Sequence, residues 1–420
     1  MTETLIDRRE RLLGPRMTTF YEEPVHLVRG LGTKLWDAEG REYLDCYNNV
    51  PHVGHCHPKV VEAICKQAGT LNTHTRYLHE GIVRYGEALT ATFADPLNGA
   101  MFTCTGSEAN DIALRMARAV TGNAGVIATD HTYHGNTDAV SQLSCTNPPP
   151  NRWDSVEFVP APDSFRPVSG EDWAKHVEAA IGRLAEKGHG IAALIIDPFF
   201  ANEGFPDLPQ GWAVPAVEAV RKAGGVVIAD EVQPGFGRLG THFWGHEKAG
   251  FLPEIVTMGK PMGNGHPVAA VVTERRIMEA FRETFRYFNT FGGNPVSMAA
   301  AQAVLDVIRE EGLQENAAEV GDYAREGLCD LASRHGCIGD VRGSGLFFGA
   351  ELVLDREAKT PATAFTQKVA NAVRHKGVLM NFLGIHYNVL KMRPPMVFSR
   401  ADADRMLKAV DEALAEVPLA

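Results

Sequence analysis

Apolar residues occur along the chain in short uninterrupted runs, each followed by glycine or polar residues. Runs of this length without polar alternation are typical of strands buried on both faces of a sheet. The pattern predicts such strands at 101–105, 125–129, 192–197, 226–230, 254–258 and 269–273.

Segments with helical periodicity lie between several of these runs. Within 107–120, Ile112, Met116 and Val120 share one face, and Ser107 is the predicted N-cap. Strands that alternate with helices indicate an α/β fold, in which helices cover both faces of a large, mainly parallel sheet.

The two ends of the chain follow a different pattern. Residues 34–45 alternate around an Asp-Ala-Glu-Gly turn, which predicts a hairpin outside the main sheet. The segments after residue 312 indicate a smaller α+β unit that packs with this hairpin, with helical patterns at 314–335, 362–376 and 401–416 and strand candidates at 345–353 and 386–393. We therefore predict three parts: an N-terminal segment of the small domain (1–50), a large domain (51–312) and a C-terminal small domain (313–420).

Composition and charge argue against several classes of protein. With 45% hydrophobic and 22% charged residues, the 420-residue chain has the composition of a globular protein. A net charge of −11 leaves no broad basic surface for nucleic acid or anionic lipid. The apolar runs are far shorter than the roughly 20 residues of a membrane span. Seven scattered cysteines and an N-terminus without the apolar core of a secretory signal predict a cytoplasmic protein.

Two of the predicted strands end in charged residues. The apolar run 226–229 ends in Asp230, and the run E-I-V-T-M-G-K ends in Lys260. In parallel sheets, ligands bind beyond the carboxyl ends of the strands, so both charges can approach one crevice. On spacing alone, a structural salt bridge is the simpler interpretation of the pair.

Further motifs at strand ends favour a binding site over a salt bridge. T-G-S-E-A-N places Gly106 and Ser107 at a helix start, where free N–H groups bind phosphate, although such turns are often simple caps. Y-H-G offers Tyr133 as a ring over a flat ligand. The residues around Lys260 do not form a Walker A loop, and no G-x-G-x-x-G motif follows a strand.

The ordered set of motifs resembles the class III, fold-type I pyridoxal 5′-phosphate (PLP) enzymes, typified by the ω-aminotransferases. It comprises N-N-V-P-H-V-G-H-C-H-P (48–58), T-G-S-E-A-N, Y-H-G, A-D-E-V-Q-P-G-F-G-R-L-G (229–240), P-E-I-V-T-M-G-K-P-M-G-N-G-H-P (253–267), T-F-G-G-N-P (290–295) and R-P-P (393–395). The resemblance makes 51–312 the PLP-binding domain.

The resemblance implies a role for each matched residue. Lys260 would attach PLP covalently and act as the base that removes a substrate proton. Asp230 would pair with the protonated pyridine nitrogen and keep the ring an electron sink. The remaining cofactor contacts would be Gln233 to the phenolic oxygen, Tyr133 stacked on the ring, Gly106 and Ser107 at the phosphate, and Thr290 at the same phosphate from the neighbouring subunit of a homodimer or higher oligomer.

The substrate pocket distinguishes reactions within the family. Many aminotransferases of this class mask a substrate-binding arginine with a glutamate in an E-P-x-x-G-E-x-G stretch. The corresponding stretch here is D-P-F-F-A-N-E-G (197–204), in which Asn202 occupies the masking register and Glu203 is expected to point elsewhere. Arg393 is therefore expected to be unmasked, which suits a substrate that always carries an anion.

N-N-V-P-H-V-G-H-C-H-P followed by N-T-H-T-R-Y-L-H (72–79) resembles the branch of ethanolamine-phosphate and phosphohydroxylysine phospho-lyases. This implies a PLP-dependent lyase that eliminates phosphate from O-phosphoethanolamine or a related phosphorylated amine, giving acetaldehyde, ammonia and phosphate. Arg76 and Arg393 would bind the phosphate, with Asn48 or Asn49 as weaker contacts and Lys391 weaker still.

Two other functions stay open on the sequence. An ω-aminotransferase would share every cofactor residue, and a catalytically silent PLP-binding scaffold would not require Lys260 and Asp230 together.

His52, His55 and His57 have metal-like spacing, but no thiolate or carboxylate cluster joins them, so hydrogen bonding is the preferred interpretation. Local structural roles are expected for Glu231 and Arg238.

Overall fold

A computed structural model describes residues 3–15, 17–145 and 148–419 of the chain. The N-terminal part contributes α1 (Leu5–Leu13), β1 (Leu27–Leu31), β2 (Lys34–Asp37), β3 (Glu42–Asp45), α2 (Pro58–Ala68) and α3 (Glu80–Thr90). The proline-rich stretch at 148–150 lies outside helices and strands, before the strand that begins at Val156.

The central part alternates strands with helices. Its elements are β4 (Gly99–Thr103), α4 (Gly106–Thr121), β5 (Gly125–Thr129), α5 (Asp138–Ser141), β6 (Val156–Val159), α6 (Gly170–Glu186), β7 (Ile191–Ile196), α7 (Val214–Lys222), β8 (Val226–Asp230), α8 (Gly245–Ala249), β9 (Ile255–Met258), a 3-10 turn (Lys260–Gly263), β10 (Ala269–Thr273), α9 (Arg275–Thr284) and α10 (Pro295–Glu310).

The C-terminal part contains longer helices and short strands. Its elements are α11 (Leu313–Arg334), β11 (Ile338–Ser344), β12 (Phe347–Asp355), β13 (Thr360–Pro361), α12 (Thr363–His375), β14 (Val378–Leu379), β15 (Asn381–Leu383), β16 (Val389–Met392) and α13 (Arg400–Glu416). Capping boxes begin α4 and α13, because a Thr or Ser hydroxyl and an acid three residues later satisfy the first N–H groups.

The main sheet has the order β4-β10-β9-β8-β7-β5-β6. Strands β9, β8, β7, β5 and β6 are parallel, whereas β10 is antiparallel to both of its neighbours. Every residue of β5, β7, β8, β9 and β10 is buried, as expected for strands with helices on both faces. The predicted α/β fold with a mainly parallel sheet is confirmed.

Three strands have the predicted bounds: β5, β8 and β10. The first strand was placed two residues too late, since β4 spans Gly99–Thr103, and β6 was not predicted. The N-cap prediction was wrong. Thr105, not Ser107, caps α4: its Oγ1 accepts the Glu108 N–H at 3.2 Å, and a Glu108 carboxylate oxygen accepts the Thr105 N–H at 3.1 Å.

The predicted hairpin is formed by β2 and β3, in a separate sheet with the order β1-β2-β3-β14. Strand β14 joins β3 in parallel, with Val378 opposite Leu44. The expected packing of the N-terminal hairpin against the C-terminal part is therefore confirmed, while the domain limits at residues 50 and 312 stay a prediction. The remaining strands form a five-stranded sheet with the order β11-β12-β16-β15, in which β13 also pairs with β12.

Candidate active site

The loops that follow β4, β5, β7, β8 and β9 meet at the carboxyl edge of the main sheet. They enclose a cavity of about 230 Å³. Its lining residues are Gly106, Ser107, Tyr133, His134, Gly135, Asp197, Asp230, Val232, Gln233 and Lys260. Crevices of this kind are where α/β proteins bind ligands.

Asp230, the last residue of β8, is almost completely buried and is surrounded by donors. Its Oδ2 atom lies 2.7 Å from Nδ1 of His134 and accepts a hydrogen bond of 2.9 Å from Nδ2 of Asn110. Its Oδ1 atom accepts the Val232 N–H at 3.0 Å. Both carboxyl oxygens thus accept hydrogen bonds from groups at the sheet edge. These bonds fix the orientation of the Asp230 carboxylate.

His134 and Asn110 are themselves held in place. Asn110 donates a second bond, 2.7 Å long, to the His134 carbonyl, and its Oδ1 accepts the hydroxyl of Thr257 at 2.6 Å. The other ring nitrogen of His134 lies 3.0 Å from the hydroxyl of Thr132. The two side chains therefore connect α4, the loop after β5 and the adjacent strand β9 to Asp230.

Lys260 begins the 3-10 turn that follows β9. Its φ of +25° is unusual for a residue with a side chain, and such strain is frequent at functional sites. Gly259 brings this turn close to the start of α4, because a Cβ atom there would lie 3.2 Å from the Gly106 nitrogen. The sequence G-K thus places the amine beside the helix N-terminus.

Burial lowers the pKa of Lys260 to about 8, and the positive charge of Arg393 contributes to the shift. Asp230 and Asp197 act in the opposite direction. A lysine with such a pKa is partly neutral near physiological pH and can serve as a nucleophile or a base.

Asp230 and Lys260 do not pair with each other. Among the described residues, the ion-pair partner of Asp230 is His134, and Lys260 has none. The salt-bridge interpretation of their spacing was therefore wrong. The acid and the amine face one cavity with space between them.

Gln233 connects this cavity to the C-terminal part of the chain. Its Oε1 atom accepts hydrogen bonds from Nη1 of Arg393 and, at 3.3 Å, from Nζ of Lys391. Its Nε2 atom donates to Oδ1 of Asn202 at 3.3 Å. Arg393 also donates from Nε to the carbonyl of Tyr47 at 3.0 Å and lies 4.6 Å from the centre of the Tyr47 ring.

Within the part of the chain that the structure describes, no carboxylate forms an ion pair with Arg393. Glu203 turns instead toward β5, where its Oε1 accepts the Thr129 hydroxyl at 2.5 Å. Burial raises the pKa of the Glu203 carboxyl above its usual value. It also raises the pKa of the Asp197 carboxyl, well above its usual range. Asp197 caps its own loop by accepting the Phe199 N–H at 2.9 Å.

Six residues proposed from the sequence line the cavity: Gly106, Ser107, Tyr133, Asp230, Gln233 and Lys260. Four others do not. Asn48 donates to Asp45 at 3.0 Å, and Asn49 is buried with its amide nitrogen lacking a partner. Thr290 is exposed.

Arg76 lies in a different groove, of about 600 Å³, which it shares with Thr75, Phe288 and Asn289. Its guanidinium group is 4.1 Å from the centre of the Phe288 ring. Arg76 therefore does not line the cavity that contains Lys260, and Thr290 directly follows Asn289, which lines the groove of Arg76.

The histidines with metal-like spacing have separate partners. His52 is hydrogen-bonded to the Phe236 carbonyl and to Arg238, whereas His55 contacts Asp45 at 2.7 Å. No cluster of three or more His, Cys, Asp or Glu side chains suited to a metal occurs within the described ranges. Glu231 accepts the Gly245 and His246 N–H groups at the start of α8, a local role.

His134 and Asn110 were not predicted from the sequence as partners of Asp230. Both lie in motifs already singled out, Y-H-G and T-G-S-E-A-N. Asn110 is four residues after Gly106, so helical geometry places the two residues on the same face of α4. That spacing was an available signal for Asn110, whereas nothing local points His134 toward β8.

The cavity fits PLP by the chemistry of its donors. It offers an amine for the aldehyde, a buried acid for the pyridine nitrogen and the N-terminus of α4 for the phosphate. The protein is a PLP-dependent enzyme with the fold-type I architecture. It belongs to the class III aminotransferase family, whose model matches residues 19–414.

Individual relatives cover almost the whole chain. A phospholyase from Arthrobacter, solved in complex with phosphoethanolamine, is 44% identical, with a TM-score of 0.95 over 99% of this chain and 100% of that one. The alanine–glyoxylate aminotransferase 2-like protein of Drosophila melanogaster is 44% identical over 99% of this chain and 87% of its own length. The ethanolamine-phosphate phospho-lyase homolog 1 of Caenorhabditis elegans is 36% identical over 98% and 93%, respectively.

Across residues 3–15, 17–145 and 148–419, no helix combines the length and the apolar composition needed to cross a bilayer. The cytoplasmic location stays a prediction.

Proposed function

We propose that the protein is a phospho-lyase that eliminates phosphate from O-phosphoethanolamine or a closely related phosphorylated amine. The observation that carries this proposal is the state of Arg393, which bonds to the cavity-lining residue Gln233 and has no carboxylate partner in the described chain, while Glu203 bonds to Thr129. A guanidinium that is never neutralised suits a substrate that always brings an anion. The similarity to the Arthrobacter phospholyase supports the same reaction.

The chain holds PLP through the residues that line the cavity. Lys260 would be the attachment point, and Asp230 would pair with the pyridine nitrogen. Gly106 and Ser107 present N–H groups to the phosphate at the start of α4. Gln233 would donate to the phenolic oxygen, and Tyr133, which is half exposed, would cover the ring.

Bound PLP supplies an electron-withdrawing ring that stabilises negative charge on the substrate carbon next to the nitrogen. Once the substrate amine has taken its place, the free Nζ atom of Lys260 would accept the proton from this carbon, for which its lowered pKa is suited. Asp230 opposes the positive charge of the ring nitrogen, and His134 and Asn110 keep it aligned.

Elimination then breaks the C–O bond of the neighbouring carbon, and phosphate leaves with the electron pair of that bond. Arg393 orients the phosphate and balances the charge that it carries away. Water converts the remaining two-carbon fragment into acetaldehyde and ammonia, so that no keto acid is consumed.

A second candidate is amine transfer to a keto acid, the activity named for the Drosophila relative. It would use the same lysine and the same acid. The two reactions differ in the fate of the substrate's phosphate and in the need for a second substrate.

We also propose that the active unit is a dimer with shared sites. Exposed Thr290 and Arg76 occur on a surface rich in exposed apolar side chains, which include Tyr77, Leu78, Phe288 and Phe291. A second copy on this surface would bring Thr290 to the cofactor phosphate of its neighbour and Arg76 to the neighbour's substrate. A sedimentation mass of one chain for the active protein would contradict this.

The deciding experiment supplies O-phosphoethanolamine to the PLP-loaded protein without any keto acid. We expect phosphate and acetaldehyde in equal amounts over many turnovers. Product that forms only after pyruvate is added would establish the aminotransferase instead.

Lys260→Ala is the matched control for this experiment. It should release neither product and should lack the visible absorbance of the attached cofactor. Phosphate release by this variant at the wild-type rate would show a contaminating phosphatase.

A further inference from the structure

Lys391 is a buried lysine to which the proposed reaction assigns no role. It lies in the middle of β16 and is 1% exposed. Its Nζ atom donates to the Ala201 carbonyl at 3.0 Å and to Oε1 of Gln233 at 3.3 Å, and lies 5.0 Å from the centre of the Phe347 ring. No carboxylate of the described chain forms an ion pair with it. The sequence suggested a weak phosphate contact, but the amine is directed at Gln233.

The contacts of Gln233 determine which end of its amide faces the cavity. An arginine side chain has donors only, so the atom that faces Nη1 of Arg393 is the amide oxygen. The amide nitrogen must then point the other way, where one N–H is used by Asn202 and the second is free for a ligand in the cavity that Gln233 lines. A reversed amide would bring N–H groups against a guanidinium.

Arg393 also has a second role, because the proposed function assigns its guanidinium group to the substrate anion. Its Nε atom is engaged by Tyr47 and its Nη1 atom by Gln233. A guanidinium that turns toward a phosphate group gives up part of its hold on Gln233. Lys391 approaches the same oxygen from β16 and is anchored independently at Ala201.

We propose that Lys391 is a positioning residue that holds the Oε1 atom of Gln233, so that the Gln233 amide nitrogen keeps facing the phenolic oxygen of PLP while Arg393 binds the substrate anion. This inference rests on the proposed cofactor contact of Gln233. It requires only that Nζ carries a hydrogen to donate, which both protonation states of an amine provide.

The electrostatic surroundings agree with this role. Burial lowers the pKa of Lys391 well below its usual range, and the charges of Arg393 and Lys260 act in the same direction. Asp197 and Glu203 oppose the shift. A buried amine is costly to retain, which favours a specific hydrogen-bonding function over simple packing.

The test is a pH titration of the visible absorbance band of the PLP-loaded protein without substrate, in buffer that contains inorganic phosphate as the anion for Arg393. An N–H donated to the phenolic oxygen stabilises its ionised form, so losing that bond raises the midpoint of the titration. We expect Lys391→Met to raise the midpoint by about one pH unit, the size of one hydrogen bond to a charged group. Gln233→Leu should give a rise of the same size, and the double variant should show no further rise.

Lys359→Met is the matched control, since Lys359 also donates to a backbone carbonyl, that of Phe165 at 2.7 Å, and lies 4.6 Å from an aromatic ring. It should leave the midpoint unchanged. If Lys391→Met lowers only the melting temperature and its midpoint stays at the wild-type value, the inference is overturned. An unchanged midpoint in Gln233→Leu overturns it as well.

A second variant keeps Lys391 intact in case Lys391→Met does not fold. Gln233→Glu places a carboxylate before the N–H donors of Arg393 and Lys391, so we expect a melting temperature no lower than that of the wild type and a raised midpoint, since the donor is lost. A marked fall in melting temperature would overturn the inference. Because no substrate is present, these outcomes are independent of whether O-phosphoethanolamine is the substrate.

Discussion

The Nδ1 atom of His134 lies 2.7 Å from the Oδ2 atom of Asp230, and this buried contact joins the loop after β5 to the last residue of β8. It places a histidine where the spacing of the sequence suggested Lys260. The acid is thus held by a neighbouring loop, while the lysine stays available for the cofactor. The division explains how an acid and an amine can share one cavity without neutralising each other.

Asp230→Asn should abolish most activity without unfolding the protein. The amide has nearly the same shape but lacks the charge that opposes the ring nitrogen, and removing one such preorganised group costs about 100-fold or more in rate. The measurement is kcat/KM with O-phosphoethanolamine, with circular dichroism as the check of folding.

Asp411→Asn is the control for this prediction, because Asp411 also accepts from a histidine, with 2.6 Å between Nε2 of His335 and Oδ1. That pair lies near the surface and far from the cavity, so kcat/KM should change less than about twofold. Comparable losses in the two variants would remove the special role of Asp230.

Asn110→Ala should destabilise the protein. The substitution leaves the Thr257 hydroxyl, the His134 carbonyl and Asp230 each short of a buried partner, and unsatisfied buried groups cost about 1–3 kcal/mol each. We expect the free energy of unfolding in urea to fall by about 3 kcal/mol at fixed protein concentration.

The control for Asn110 is Asn371→Ala. Asn371 makes two similar bonds, to Gln367 and from Glu22, but near the solvent. Water can replace those bonds, so the loss should stay below about 1 kcal/mol. A fall for Asn110→Ala that is no larger than this would contradict the network.

The lowered pKa of Lys260 predicts how the apo protein takes up PLP. Only the neutral amine attacks the aldehyde, so the rate of attachment should rise with pH and level off above a midpoint near 8. An ordinary lysine would continue to gain rate up to a pH of about 10. Stopped-flow absorbance of apo protein mixed with PLP measures the rate, and a midpoint above 9.5 would contradict a buried amine.

The main sheet was predictable because its strands are buried on both faces, so that apolar runs such as 226–230 stand out from their surroundings. Strand β6 was missed since it is short, lies at the sheet edge and contains Glu157. The N-cap of α4 was within reach of the sequence: Thr105 and Glu108 have the spacing of a capping box, a stronger signal than the hydroxyl of Ser107 alone.

Site residues were predictable where they lie at the end of a strand or just after it, as Asp230 and Lys260 do. It was not predictable where two distant segments meet. Lys391 and Gln233 are 158 positions apart in sequence, and their contact depends on how β16 packs against the loop after β8. The alternation of β16 indicates that Lys391 points to one face, but not which residue it meets there.

Gly135→Ala should weaken PLP binding. Gly135 has a φ of +137°, and a Cβ atom there would lie 2.5 Å from Oγ and 2.8 Å from Cα of Ser107. Ser107 would have to move, and with it the N-terminus of α4. We expect the dissociation constant of PLP, from fluorescence titration of apo protein, to rise at least about tenfold, since a misplaced anion site loses charge-assisted hydrogen bonds.

Gly182→Ala is the control for Gly135. It lies in α6, and no atom within 4 Å would meet its Cβ. Alanine favours a helix over glycine by about 1 kcal/mol, so this variant should melt at the same or a higher temperature and bind PLP as the wild type does. Weakened binding in both variants would point to a general effect on folding.

Arg393→Met should separate phosphorylated from simple amines. Methionine keeps an apolar stem against Tyr47 but removes the charge-assisted bonds to a phosphate group, which are worth about 2–3 kcal/mol together, or roughly 30- to 150-fold in affinity. We expect KM for O-phosphoethanolamine to rise by about that factor, while kcat/KM for an unphosphorylated terminal amine, assayed with pyruvate, changes less than about threefold.

The control is Arg356→Met, since Arg356 also donates from Nε to a backbone carbonyl, that of Ile338 at 2.8 Å, far from the cavity. Equal losses for the two kinds of substrate in Arg393→Met would mean that Arg393 serves Gln233 alone and that the phosphate is bound elsewhere.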